Sequence, residues 1–143
     1  MPNFIRGIAH TAYVVSDMKA ALEFYEGALG FEKAFELSDD RGNPWIVYLG
    51  VGDDQFIELF YSAPGSEKAK GQIGANHLCL LTDNIEAAAR HLRDGGYPLD
   101  AEISRGKDGN LQCWTHDPDG NRIEIMQLGE DSLQMKFIKS KKS

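Results

Sequence analysis

The chain has 143 residues, 42% of them hydrophobic, a net charge of -7 and a pI near 5.0. That length makes one domain with enough apolar material to fill a core unaided, and its acidity argues against a nucleic-acid partner, the basic cluster being confined to Lys136, Lys139, Lys141 and Lys142. No apolar run approaches a membrane span, residues 1–6 lack signal-peptide organisation, and Cys79 and Cys113 have no CxxC spacing, so the expectation is a cytoplasmic, non-membrane protein with both thiols as small core residues.

Residues 8–15 are rich in β-formers and read as a strand with His10, Ala12 and Val14 on one face. Ser16 or Asp17 then caps a helix whose stripe, Met18, Ala21, Leu22, Tyr25, Ala28 and Leu29, keeps helical spacing, and Gly30 closes it. Residues 31–37 form a second strand, 38–44 a polar turn, and 45–49 and 55–61 two more strands. The order is β-α-β-β-β. Residues 62–75 contain Pro64, Gly65, Gly71 and Gly74 and mark a connector.

Beyond it the order returns. Residues 76–81 read as a strand, and 83–93 as a helix with Ile85, Ala88, Ala89 and Leu92 turned inward and Gly95-Gly96 at its exit. A strand near 99–104, the loop Arg105-Gly106-Lys107-Asp108-Gly109 and a strand over 110–115 follow. Asp117-Pro118-Asp119-Gly120 then supplies the restricted and permissive backbone of a tight turn. In the alternating Arg122-Ile123-Glu124-Ile125-Met126, Glu124 sits mid-strand on one face with Arg122 and Met126. A carboxylate there must be solvated, paired or bound to metal, because burying it alone costs too much.

The two halves are in register. His10 lies 48 residues before Glu58 and His77 lies 47 before Glu124, each His in the first strand of its unit and each Glu in the fourth. Ile57-Glu58-Leu59-Phe60 matches Ile123-Glu124-Ile125-Met126, and Gly30-Phe31 matches Gly96-Tyr97. A period of about 66 residues is a duplicated module, too long for a solenoid repeat. The expected layout is module one over about 5–61, the connector 62–75, module two over about 76–128, and a solvated basic tail over 129–143.

In each half the His and the Glu face away from the helix, so two curling sheets can bring two imidazoles and two carboxylates to one point. Two neutral His and two carboxylates make a neutral shell for one divalent ion. With no thiolate in the set, Ni, Co, Zn, Fe or Mn suits it, with positions left open for water or substrate. His91, on a helix, and His116, beside a turn, fall outside the pattern.

The His10 strand, the Phe24-Tyr25 and Leu29-Gly30-Phe31 helix exit, Glu58 in Ile-Glu-Leu, His77 opening the second half, and Asp117-Pro118-Asp119-Gly120-Asn121-Arg122-Ile123-Glu124 together resemble the vicinal oxygen chelate superfamily. The likeness runs from Ile8 to Leu128, and the His, Glu, His, Glu set is most similar to glyoxalase I, the lactoylglutathione lyase. The resemblance implies an α+β fold of two tandem βαβββ modules forming a half-open barrel around a metal site, in a homodimer acting on a small molecule. It implies His10, Glu58, His77 and Glu124 as metal ligands, and Glu124 and Glu58 as the base and acid that move a proton between adjacent carbons of a hydroxycarbonyl or hemithioacetal through an enediolate. Arg122, Phe60 and Met126 are candidate substrate contacts, and Arg105 and Lys107 lie on a loop that could close over a site. Bacterial glyoxalase I enzymes carry arginine where this chain has Val14 and asparagine where it has Ser62, both suited to glutathione, so the expected substrate shifts away from that conjugate.

Other classes stay open. An extradiol-type dioxygenase would hold Fe(II) with His10, His77 and Glu124, although Glu58 would then fill a position oxygen chemistry needs. An epimerase of the methylmalonyl-CoA kind would place glutamine at Glu58. A non-catalytic binding protein of the bleomycin-resistance kind would have no use for four matched ligands.

Overall fold

The computed structural model describes residues 8–67 and 75–142, so residues 5–7 of the first module, 68–74 of the connector and 143 of the tail lie outside the described residues. The chain divides into two compact units, Met1–Gly71 and Gln72–Ser143.

In the first unit, β1 (His10–Val15) is followed by α1 (Met18–Gly27), β2 (Glu32–Ser38), β3 (Pro44–Val51) and β4 (Gln55–Tyr61). They form a sheet of order β1-β4-β3-β2, in which β1 runs parallel to β4 and the other pairs are antiparallel. Asp17 caps α1 by accepting from the Ala20 N–H at 3.1 Å. Met18, Ala21, Phe24, Tyr25 and Ala28 turn inward, and α1 lies against β4. The alternation of β3 and β4 places Val47, Leu49, Ile57 and Leu59 in this core, each at most 3% exposed and each contributing about 1.5–3 kcal/mol relative to exposure.

The second unit repeats the order. Here β5 (Leu78–Leu81), α2 (Ile85–Asp94), β6 (Ala101–Arg105), β7 (Leu111–His116) and β8 (Arg122–Gln127) build a sheet of order β5-β8-β7-β6, again with its first strand parallel to its fourth. Asn84 caps α2, and Ile85, Ala89 and Leu92 pack inward over Cys113, Thr115, Ile123 and Ile125. Gln127 accepts from the Ile85 N–H at 2.9 Å and so ties the end of β8 to the start of α2. Both helix exits turn on glycine, Gly30 at φ +71 and Gly96 at φ +77, a conformation L side chains rarely adopt. The result is α+β, two mixed four-stranded sheets from tandem βαβββ modules, as the repeat implied.

Three expectations change. His77 stands one residue before β5 instead of inside it, because pairing with β8 begins at Leu78 opposite Ile123. Cys79 is exposed, not a core residue: Leu78 and Leu80 take the inward positions, and strand alternation turns the thiol outward. The basic tail carries a helix, α3 (Leu133–Lys141), none of whose residues is buried. The start of α3 is anchored. Ser132 caps it at 3.1 Å, the Asp108 carbonyl accepts from Leu133 N–H at 2.8 Å, and Gln134 bridges Asp108 and Asn110 at 2.8 and 2.9 Å.

Candidate metal and substrate site

The parallel pairing of β1 with β4 sets His10 opposite Phe56 and Ala12 opposite Glu58, so His10 and Glu58 share the face turned away from α1. His10 Nε2 meets the Glu58 carboxylate, which is buried, while the ring stays half-exposed. Directly across on β3, Tyr48 pairs with Glu58, and its hydroxyl donates to that carboxylate. This bond first, then burial and the carboxylate's charge, holds the phenol above its ordinary range. Phe35 stacks on Tyr48 at 4.3 Å, Phe56 meets it edge-on at 6.4 Å, and Phe60 packs edge-on against Trp45 at 6.1 Å. The first sheet thus sets a carboxylate and an imidazole in an aromatic wall.

The second sheet builds its pair by the same register and dresses it differently. Cys79 stands opposite Glu124 as Ala12 does opposite Glu58, and Trp114 takes the place of Tyr48. His77 Nε2 lies 3.2 Å from Glu124 Oε2, with the Glu124 side chain 12% exposed. His77 Nδ1 lies 2.7 Å from Asn76 Oδ1. Arg122 donates to that same oxygen at 3.0 Å, its guanidinium 4.5 Å above the Trp114 ring, and the His77 ring meets Trp114 edge-on at 4.8 Å. Partial burial, the charge of Glu124 and a hydrogen bond to it push the Cys79 thiol up to about 12.

The structure therefore brings His10 to Glu58 and His77 to Glu124. Among the described residues no group of three or more His, Cys, Asp or Glu is gathered, so each unit supplies a pair. Met126 follows Glu124 on its face, and Phe60 follows Glu58 on its own. Arg122 is engaged by Asn76 and Trp114, and Arg105 is turned onto the Gly109 carbonyl at 2.7 Å. His116 ends β7 and pairs with Asp100 at 2.8 Å.

Tyr48, Trp114 and Asn76 were not among the sequence candidates. A signal existed for two of them, since Tyr48 precedes Glu58 by ten residues and Trp114 precedes Glu124 by ten. The repeat that marked the glutamates marked their cross-strand neighbours as well. For Asn76 the repeat offers nothing, because Ala9 stands before His10.

Known proteins resemble this chain over most of its length. YwbC, an uncharacterized protein of Bacillus subtilis (strain 168), is 30% identical over 123 residues, which cover 84% of this chain and 96% of that protein. A lactoylglutathione lyase of Escherichia coli O157:H7 is 26% identical over 124 residues, covering 84% and 91%. The crystal structure of SMU.1112c superposes with a TM-score of 0.74 at 26% identity, covering 85% of this chain and 98% of that one. Residues 7–125 match the profile of one family, and the chain belongs to it: the Glyoxalase/Bleomycin resistance protein/Dioxygenase superfamily.

Proposed function

We propose that the protein is a divalent-metal-dependent lyase or isomerase of the glyoxalase I type, moving a proton between adjacent carbons of a hydroxycarbonyl or hemithioacetal. The observation that supports it is the matched pair: in each sheet an imidazole Nε2 faces a glutamate oxygen, at equivalent places in parallel strand pairings. Two such pairs offer two neutral nitrogens and two anionic oxygens, a donor set that fits one Ni, Co, Zn, Fe or Mn ion. His10, Glu58, His77 and Glu124 would hold it.

The ion, when bound, supplies Lewis-acid polarisation of two adjacent substrate oxygens, which makes the neighbouring carbon-bound proton removable. Glu124 takes that proton on its carboxylate and returns it, or Glu58 supplies one, at the adjacent carbon. The two glutamates are not equivalent partners. Tyr48 and His10 engage the more buried Glu58, which favours it as the fixed group, and the base role falls to the somewhat more open Glu124, met by His77 and the Cys79 thiol. Phe60 and Met126 flank the carboxylates and would pack on the carbon skeleton of the substrate.

The aromatic wall of the first sheet and the absence of a cation at Val14 favour a less charged substrate than glutathione provides. A homodimer acting on a small cytoplasmic metabolite fits the family. Among the described residues no helix is long and apolar enough to cross a membrane.

Solvent-deuterium exchange at the substrate carbon tests the proposal. Metal-loaded protein should label hydroxycarbonyl compounds or hemithioacetals in D₂O, and Glu124→Gln should slow labelling about 10²–10⁴-fold. Labelling at the full rate by a metal-loaded Glu124→Gln protein would remove Glu124 from the proton transfer.

A further inference from the structure

We propose that Asn76, fixed by Arg122, is a positioning residue that commits His77 to a single tautomer and aims its Nε2 at the ion. The inference rests on the metal-site proposal for His77 but begins from hydrogen-bond accounting within the second unit.

Asn76 Oδ1 has two neighbours, His77 Nδ1 at 2.7 Å and Arg122 Nη1 at 3.0 Å. A guanidinium has donors and no acceptor, so the amide atom facing it is the oxygen. That oxygen can only accept, so His77 Nδ1 must carry a proton. In the neutral ring the lone pair then falls on Nε2, which faces Glu124 Oε2 at 3.2 Å. Nε2 and the carboxylate are then two acceptors aimed at the same point, an arrangement that suits a metal ion between them.

Arg122 contributes by holding the amide and not by meeting the ion. Its guanidinium lies over Trp114, and Trp114 also packs edge-on against the His77 ring, so one indole braces both the clamp and the imidazole. The first half-site has no such device at the equivalent place, because the residue before His10 is Ala9, which has no side-chain acceptor. The two histidines of the repeat are therefore held differently, and the second is the preset one. Arg122, a substrate-anion candidate by sequence, becomes part of the support for a ligand.

The test uses the full chain, metal-free and then loaded. With ¹⁵N-labelled histidine at a pH above the ordinary imidazole range, long-range ¹H–¹⁵N spectra should show His77 in the Nδ1–H form. Asn76→Leu should lose that preference and weaken nickel or zinc binding about 10–100-fold, while Asn76→Asp, which keeps the acceptor, should restore both. Asn76 is exposed, so these variants leave the core intact. An unchanged tautomer and unchanged affinity in Asn76→Leu overturn the inference. A wild-type protein that takes up neither metal sinks the metal-site proposal instead, while the nitrogen spectra still decide what Asn76 does.

Discussion

Replacing Asp117 by alanine should destabilise the second unit by about 3–5 kcal/mol, because several turn groups depend on its carboxylate. Asp117 is 1% exposed. Its Oδ1 accepts from the backbone N–H groups of Asp119 and Asn121 at 2.9 and 2.8 Å, and its Oδ2 from the Asn121 side chain at 2.8 Å. Each bond to a charged acceptor is worth about 1.5–3 kcal/mol net, and they share one acceptor group, so the sum is less than three times that. Asp117→Asn keeps one oxygen for the two backbone donors and loses the bond to the Asn121 amide, so it should cost about 1–2 kcal/mol. The turn matters for function because it launches β8, which carries Arg122, Glu124 and Met126. The chain has two tryptophans, Trp45 and Trp114. In a Trp45→Phe background, Trp114 fluorescence during urea unfolding reports on the second unit alone. An Asp117→Ala unfolding free energy within about 1 kcal/mol of the parent's would refute the accounting.

Three further outcomes follow from other contacts. Cys79, with its thiol pushed up from 9.0 to about 12, should be alkylated roughly 30–60-fold more slowly at neutral pH than an ordinary exposed cysteine, the lower thiolate fraction being partly offset by the greater nucleophilicity of a more basic thiolate. Glu124→Gln should recover part of that rate, and rapid labelling of the wild type, read by mass spectrometry, would contradict it. The Asn110 backbone N–H, followed by the Gln134 and Asn110 side chains, holds the Asp108 carboxyl below its ordinary value near 3.8. A depressed carboxylate stabilises the fold above its unfolded pKa and loses that contribution as pH falls through the folded one, so the anchor of α3 should loosen below about pH 4. Amide exchange at Leu133 and Met135 would show it, and Asp108→Asn should flatten the dependence. Finally, a Cβ at Gly129 would run into the Gly109 carbonyl, so Gly129→Ala should cost about 1–3 kcal/mol in urea unfolding.

The repeat made most of the fold legible, since strand alternation and helix periodicity are local and each module supplies its own copy. The same periodicity put His10 with Glu58 and His77 with Glu124, because residues two apart on parallel neighbours share a face. Cross-strand partners were harder to see. Tyr48 lay unmarked within the 45–49 strand until pairing with Glu58 gave its hydroxyl an acceptor, and Arg122 read as a substrate contact until Trp114 and Asn76 claimed it. Cys79 was misplaced because a small thiol between two leucines fits either face. The helix α3 was hidden by its lysines: its anchor lies in the Asp108–Asn110 loop, more than twenty residues upstream, and no local pattern announces it.

Metal content of the purified full chain bears most directly on the central claim. After incubation with nickel, cobalt, zinc, iron or manganese, one divalent ion per chain should remain bound, and alanine at His10, Glu58, His77 or Glu124 should each weaken it. Uptake of none of these ions, or an ion retained at full affinity when both residues of either pair are replaced, would contradict a centre shared by the two halves of the repeat.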